Sequence, residues 1–336
     1  MIFVTGGTGL VGSHVLLNLS RRGKKFKALK RISSSLKVCK KVFLYYNEEK
    51  LFQQINWIDG DLNDISSLEE GMKNCNMILH CAALVSFHSG DLAMLKKVNI
   101  EGTANLVNIA LSSSIKKIGY VSSIATLGKD SDVINEESYF KFNKSESNYS
   151  ISKYYAEQEV WRISQEGIDV VVVNPSVILG PGEWSKGSSQ IFTKIYEGLK
   201  YYTEGATGYV DVLDVSEALI QLLFSKEKNE RFILNGANLK YRVCFDMIAE
   251  RLGKNKATIR VTPLLKEIAW RMEAVRCFFL RKKPLITKET ANNAMNYRTF
   301  SSKKIEERLG YEFIDIKYTI KKYCDWFIAD LKNPFH

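Results

Sequence analysis

The stretch "VTGGTGLVG", residues 4–12, constrains this chain more than any other. It joins a short apolar run, Ile2–Thr5, to a pattern of helical period running from Leu10 to Arg22. Gly6, Gly9 and Gly12 stand at regular intervals along it. Such spacing permits a tight turn, close approach of backbone to a ligand, and close packing of helix on strand. A glycine triplet alone says little. Placed between a strand and a helix, it predicts a loop whose free N–H groups and helix dipole cradle phosphates.

The rest of the first half supports that placement. Strand candidates are Ile2–Thr5, Phe26–Lys30, Ile55–Ile58, Met77–His80, Ile118–Ser122 and Val170–Asn174. Helix candidates lie between them at Leu10–Arg22, Ile65–Lys73, Ala93–Ser112 and Tyr149–Gln165. Strict alternation predicts an α/β fold, a doubly wound parallel sheet of Rossmann type with helices on both faces. Past Pro175 the pattern breaks into Gly- and Ser-rich loops. "GYVDVLDVSEALIQLL" and "RFILNG" read as returns to the sheet, and 240–336 reads as mostly helical. The expected division is a dinucleotide-binding domain over 1–175, with returning segments near 205–235, and an interleaved, smaller, mostly helical substrate lobe over 176–336.

Composition narrows the setting. No apolar run approaches the ~18 residues of a membrane span, and the first residues enter a strand at once, which leaves no room for a signal peptide. The six cysteines form no CxxC pair and no metal spacing with the four histidines, so reduced thiols, no metal and a cytoplasmic location are expected. Net charge is +11, yet its clustering argues against nucleic acid. Ten basic residues fall between Arg21 and Lys41. Another group lies near 264–283, in a basic amphipathic pattern expected to pack on the core, with peripheral membrane contact as the rival reading.

The first basic cluster bears on the dinucleotide. A NAD site normally carries an acid at the end of the second strand for the ribose 2′-OH. Here no Asp or Glu precedes Glu48; Lys30, Arg31 and Ser33 stand in that place, with Lys37 nearby. A carboxylate repels a 2′-phosphate and arginine binds one through a charge-assisted fork. NADP(H) is the expected cofactor, with NAD(H) still compatible.

Chemistry is suggested by "NYSISKYYAEQEVW", residues 148–161. At 100° per residue, Tyr149, Lys153, Ala156 and Val160 lie within about 40° of one line on a helix. Tyr154 and Tyr155 point elsewhere and read as packing residues. A tyrosine four before a lysine also recurs at Tyr46/Lys50, Tyr196/Lys200 and Tyr318/Lys322, so the pair needs its context.

That context is a series of motifs in order: the glycine loop, "GDLND" at 60–64, "HCAA" at 80–83, "NIEGTANLV" at 99–107, "VSSIATLG" at 121–128, "YSISK" at 149–153, "NPSVILGPG" at 174–182 and "YVDVLDVSEAL" at 209–219. Together they resemble the extended short-chain dehydrogenase/reductase family, nearest its dihydroflavonol-reductase and 3β-hydroxysteroid-dehydrogenase-like branch. The resemblance runs nearly the whole chain and loosens in the last third. It implies catalytic roles for Ser123 (Ser122 is the adjacent alternative), Tyr149 and Lys153. It also implies a helix-holding or proton-relay role for Asn99. For the cofactor it implies Thr5, Gly6, Gly7, Thr8, Gly9, Leu10 and Gly12 at the phosphates and Asp61 and Leu62 at the adenine. Cys81, Ala82 and Ala83 would line the cofactor, Pro175 and Ser176 would border the nicotinamide, and Lys153 would bond the ribose.

Such chemistry is physically coherent. Hydride arriving at a carbonyl carbon leaves charge on oxygen, which needs a proton donor and a hydrogen-bond partner. Lys153 beside Tyr149, together with the positive charge of the nicotinamide, is expected to favour phenolate and lower the phenol's pKa. Of the histidines, His80 reads as structural and His88 as a weak candidate for the substrate mouth.

Two reactions compete. One is an NADP(H)-dependent oxidoreductase interconverting a carbonyl and an alcohol. The other is a nucleotide-sugar epimerase or dehydratase that recycles its cofactor. Nucleotide-sugar members often carry an arginine just before their counterpart of "YVDVLD"; Thr207 stands there instead, which favours the oxidoreductase. Val85, Phe87 and Trp184 are expected to wall an apolar substrate pocket, although Phe87 and Trp184 fit equally well as lobe-packing aromatics. The partner is thus a small carbonyl or alcohol, and a homodimer is expected only by analogy of fold.

Overall fold

The computed structural model describes residues 1–129, 131–143, 146–280 and 288–332. Its first strands are β1 (Ile2–Thr5), β2 (Phe26–Lys30), β3 (Trp57–Asp59), β4 (Met77–His80) and β5 (Lys117–Val121). They are followed by β6 (Asp169–Pro175), β7 (Val177–Leu179), β8 (Ala206–Asp211), β9 (Glu230–Leu234) and β10 (Ala237–Lys240). Seven of these form one parallel sheet in the order β9-β6-β5-β4-β1-β2-β3. This is the expected doubly wound topology, with the chain reversing between β1 and β4. Every residue of β1 and β5 is buried, as befits central parallel strands covered on both faces.

The helices that matter for the site are α1 (Leu10–Arg21), α2 (Lys37–Tyr45), α3 (Gly102–Leu111), α4 (Asn148–Gln165), α5 (Val212–Phe224), α6 (Pro263–Leu280) and α7 (Ile316–Lys332). One apolar core joins α1 and α5 to one face of the sheet through Leu16, Leu19, Leu219 and Leu223. A second joins α3 and α4 to the other face through Leu106, Val107, Ala156 and Val160. A third holds the helical region around Phe192, Tyr209, Tyr323 and Phe327.

Three expectations are revised. "RFILNG" does return to the large sheet as β9, but "GYVD" does not. It lies in a separate three-stranded sheet, β10-β8-β7, because β8 pairs antiparallel with β10 and parallel with β7. The single helix expected over Ala93–Ser112 is interrupted by a π-helical stretch, Lys96–Glu101. The basic pattern near 264–283 is helical over Pro263–Leu280, and 281–287 lie outside the described residues. Its Leu264, Ile268 and Met272 are exposed rather than packed on a core. Among the described residues no helix is long and apolar enough to cross a membrane, and no His/Cys/Asp/Glu group could hold a metal ion.

Candidate active site

The site forms where β5 ends and α4 begins. Beyond Val121 the chain continues as Ser122 and Ser123. Ser123 is extended, and its Oγ caps the following 3₁₀ turn by accepting from the Ala125 N–H at 3.1 Å. Helix α4 is capped in turn by Ser147, whose Oγ accepts from the Ser150 N–H at 2.7 Å. That cap sets Tyr149 in the first helical turn, partly exposed. Its ring meets Phe87 edge-on at 5.4 Å, and its hydroxyl is hydrogen-bonded with Ser123.

One turn further along, Lys153 is buried, 1% exposed. Its Nζ donates to Tyr120 Oη at 2.5 Å and to the Val121 carbonyl at 2.9 Å. Burial pulls the ammonium down to about 7, against the attraction of Glu157. The expected lowering of the Tyr149 pKa is not seen in the free protein. Burial holds the phenol above its ordinary value, and the bond with Ser123 opposes this only in part. Desolvation dominates, so Tyr149 carries its proton at neutral pH.

Asn99 sits within the π-helical stretch. Its Nδ2 donates to the Leu84 carbonyl and to Ser152 Oγ, both at 3.0 Å, and its Oδ1 accepts from the Leu84 N–H at 2.7 Å. It therefore ties α4 to the loop after β4. A π-turn is a common way to aim such a side chain inward.

The glycine loop fits a dinucleotide. Gly6 has φ +75°, and a Cβ there would lie 2.5 Å from the Ala82 backbone nitrogen. The N-cap of α1 is Gly9, which supplies no side-chain cap. The first-turn N–H groups of α1 thus lack the partner a serine or aspartate cap would give them. Around this loop stand Thr5, Gly7, Thr8 and Leu10, with Cys81, Ala82 and Ala83 following β4. Asp61 Oδ1 accepts from the Asn63 N–H, and Leu62 is buried. Pro175 and Ser176 end the site at β6. Ser176 Oγ is buried with no hydrogen-bond partner, an unmet polar atom where a bound group is expected.

The remaining residues singled out by sequence are placed as follows. The parallel register sets Lys30 opposite Asp59, and the two side chains pair. Arg31 and Ser33 remain exposed. Phe87 and Val85 are exposed, with Phe87 beside Tyr149. Trp184 makes its contacts in the helical region: its indole N–H donates to Asp330, and its ring meets Phe192 and Phe327 edge-on. Its packing role is the one the contacts display. Tyr120, Asp59 and Glu157 were not singled out by sequence, although Glu157 continues the four-residue spacing of Tyr149 and Lys153.

A family model described as "NAD dependent epimerase/dehydratase family" matches residues 2–235. The chain belongs to that family. It is an NAD(P)-dependent enzyme of the extended short-chain dehydrogenase/reductase type. A putative dihydroflavonol 4-reductase of Synechocystis is 29% identical over 336 residues, covering 97% of this chain and 94% of the relative. Cinnamoyl-CoA reductase 1 of Petunia hybrida is 27% identical over 245 residues, covering 69% and 72%. The crystal structure of a Thermotoga maritima UDP-glucose 4-epimerase with UDP-glucose shares the fold, with a TM-score of 0.76, 20% identity, and 98% and 99% coverage.

In this family member His80 lies in the core behind the site. Its Nδ1 is 2.6 Å from Thr5 Oγ1 and its Nε2 is 3.0 Å from Thr103 Oγ1. Burial lowers its pKa to about 3. The unfolded chain binds a proton here below about pH 6.5, and the folded chain does not. Stability from His80 is therefore present above that pH and lost as pH falls toward 3, by about 3 kcal/mol at ~pH 4. Urea midpoints measured against pH should show a steep acid-side fall, shallower in His80→Gln. Identical slopes for the two proteins would mean His80 is not buried neutral.

Proposed function

We propose that the chain is an NADP(H)-dependent reductase that converts a carbonyl to an alcohol through Ser123, Tyr149 and Lys153. The observation that carries this reading is Tyr149 hydrogen-bonded with Ser123, one helical turn before a buried lysine. When bound, the nicotinamide supplies the hydride. Tyr149 donates its proton to the carbonyl oxygen, and Ser123 holds that oxygen by a hydrogen bond as charge develops. Two of the three Lys153 donors are engaged with Tyr120 and Val121. The third remains for the ribose, and the charge stabilises the phenolate left after proton transfer. A phenol poised with its proton suits the reductive direction. Asn99 keeps α4 in place, and Gly6–Gly12 with the α1 N-terminus would hold the pyrophosphate.

The epimerase alternative asks for a cation before β8's aspartate. Thr207 occupies that position; it is buried and hydrogen-bonded to Tyr241. The names of the cyanobacterial and petunia relatives also favour net reduction. Incubation with NADPH and a panel of carbonyls and nucleotide sugars decides the matter. Net loss of reduced nicotinamide with a carbonyl is expected. Sugar conversion without net loss would establish the epimerase instead.

For cofactor choice, Arg31 and Ser33 are the proposed 2′-phosphate contacts, since Lys30 is already paired with Asp59. Arg31→Asp should weaken NADPH at least tenfold relative to NADH, about the 1.4 kcal/mol or more of one charge-assisted bond. Equal changes in the two dissociation constants would remove Arg31 from the 2′ position.

A further inference from the structure

Helix α4 carries a third ionisable residue that continues the four-residue spacing of Tyr149 and Lys153. Glu157 lies one turn beyond Lys153 and is 1% exposed. A buried carboxylate is tolerated only where donors meet its oxygens. Here Oε2 accepts from Ser122 Oγ at 2.5 Å, Thr126 Oγ1 at 2.8 Å and Asn174 Nδ2 at 3.1 Å. Oε1 accepts from Trp161 Nε1 at 3.1 Å and lies 3.6 Å from the Arg231 guanidinium. Each of these groups presents a proton. A glutamine would turn its own N–H₂ toward donors, so the arrangement selects an anion.

The same donors lead to the reacting end of the site. Asn174 Nδ2 also donates to the Ser123 carbonyl at 3.1 Å, and Thr126 Oγ1 lies 2.9 Å from it, its single proton shared between that carbonyl and Glu157. One carboxylate thus joins the end of β5, the turn after Ser123, β6 and β9. We propose that Glu157 is a positioning residue for the site. Its carboxylate fixes the turn that carries Ser123 and provides the counter-charge of the Lys153 ammonium. This rests on the reading of Ser123, Tyr149 and Lys153 given above.

The groups around Lys153 support the second role. Tyr120 on β5, Cys81 after β4 and Tyr149 on α4 are neutral, the Cys81 thiol being pushed up to about 12 by burial. His80, stacked on Tyr120, is also neutral at pH 7. Arg231 on β9 is the nearest competing cation for Glu157. Burial lowers Lys153, and the largest opposing influence is Glu157. Loss of that carboxylate therefore moves the Lys153 titration down.

The test is an NMR titration of ¹³Cε-labelled lysine in the free, full-length protein, with Lys153 assigned through Lys153→Arg. Glu157→Gln should lower the Lys153 midpoint by about one unit, a tenfold drop in the ammonium-to-amine ratio; Glu157→Asp should restore most of it. The alkaline limb of the pH profile for carbonyl reduction should shift by the same interval, which a purely structural defect would not produce. An unchanged Lys153 midpoint in Glu157→Gln overturns the proposal. If Glu157→Gln does not fold, Arg231→Met keeps the carboxylate and removes its competing cation. The midpoint should then rise, and a fixed midpoint is equally fatal. Because the titration needs no turnover, a shifted midpoint in a protein that reduces no carbonyl would sink the proposed reaction and leave the role of Glu157 standing.

Discussion

Tyr149→Phe is expected to lower turnover about 10³-fold, within the range that positioned proton donors contribute. NADPH binding should change by less than about twofold, because the phenyl ring keeps its edge contact with Phe87 and the glycine loop is untouched. The substitution removes the proposed proton donor and the partner of Ser123 while leaving the buried Lys153 with Tyr120 and Val121. Single-turnover rates and NADPH fluorescence titrations separate the two effects. Turnover within tenfold of the unmodified protein would take Tyr149 out of the mechanism.

The second large effect belongs to the glycine loop. A Cβ on Gly12 would lie 2.1 Å from the Gly6 carbonyl oxygen, 2.5 Å from its carbon and 2.9 Å from Gly7 Cα. All three are backbone atoms, so no side chain can swing aside and α1 must move away from the loop. Gly12→Ala should therefore cost about 3 kcal/mol of stability and lower dinucleotide affinity at least ~100-fold, some 2.7 kcal/mol, as the first-turn N–H groups lose their aim. Gly9→Ala is the control: its Cβ would meet only the Gly6 oxygen, at 3.4 Å, and its melting temperature should stay close to the parent's. Thermal melts and dinucleotide titrations check both. Normal binding by Gly12→Ala would mean that the loop is not the phosphate cradle.

Much of this arrangement is legible in the chain itself. Strand and helix alternate because each parallel strand must be covered on both faces, and continuous apolar runs such as that of β6 announce it. The glycine loop, the serines after β5 and the Tyr149–Lys153 spacing are local features that a reader of the sequence meets in order. What stayed hidden depends on contacts across the fold. Helix α2 lies in a run of lysines and aromatics without a capping residue, and its neighbours in α7 are about 280 residues away along the chain, as the Tyr45–Asp330 bond shows. The Lys30–Asp59 pair depends on strand register, which fixes partners that sequence distance conceals. Asn99 sits in a π-helical stretch and bonds to Leu84 and Ser152, far from it along the chain. In the free protein burial, a property of the whole fold, raises the pKa of Tyr149, and only the bond with Ser123 opposes it.

The central claim is that hydride delivered by a bound coenzyme ends on a carbonyl carbon while residue 149 supplies the proton. Deuterium placed at the 4-position of NADPH follows that transfer directly. It should appear on the carbinol carbon of the released alcohol, matched by free oxidised coenzyme, and about 10³-fold more slowly with Phe in place of Tyr149. Label retained on protein-bound coenzyme and handed back to a sugar ring, or label transfer undiminished in the Phe variant, would contradict the account.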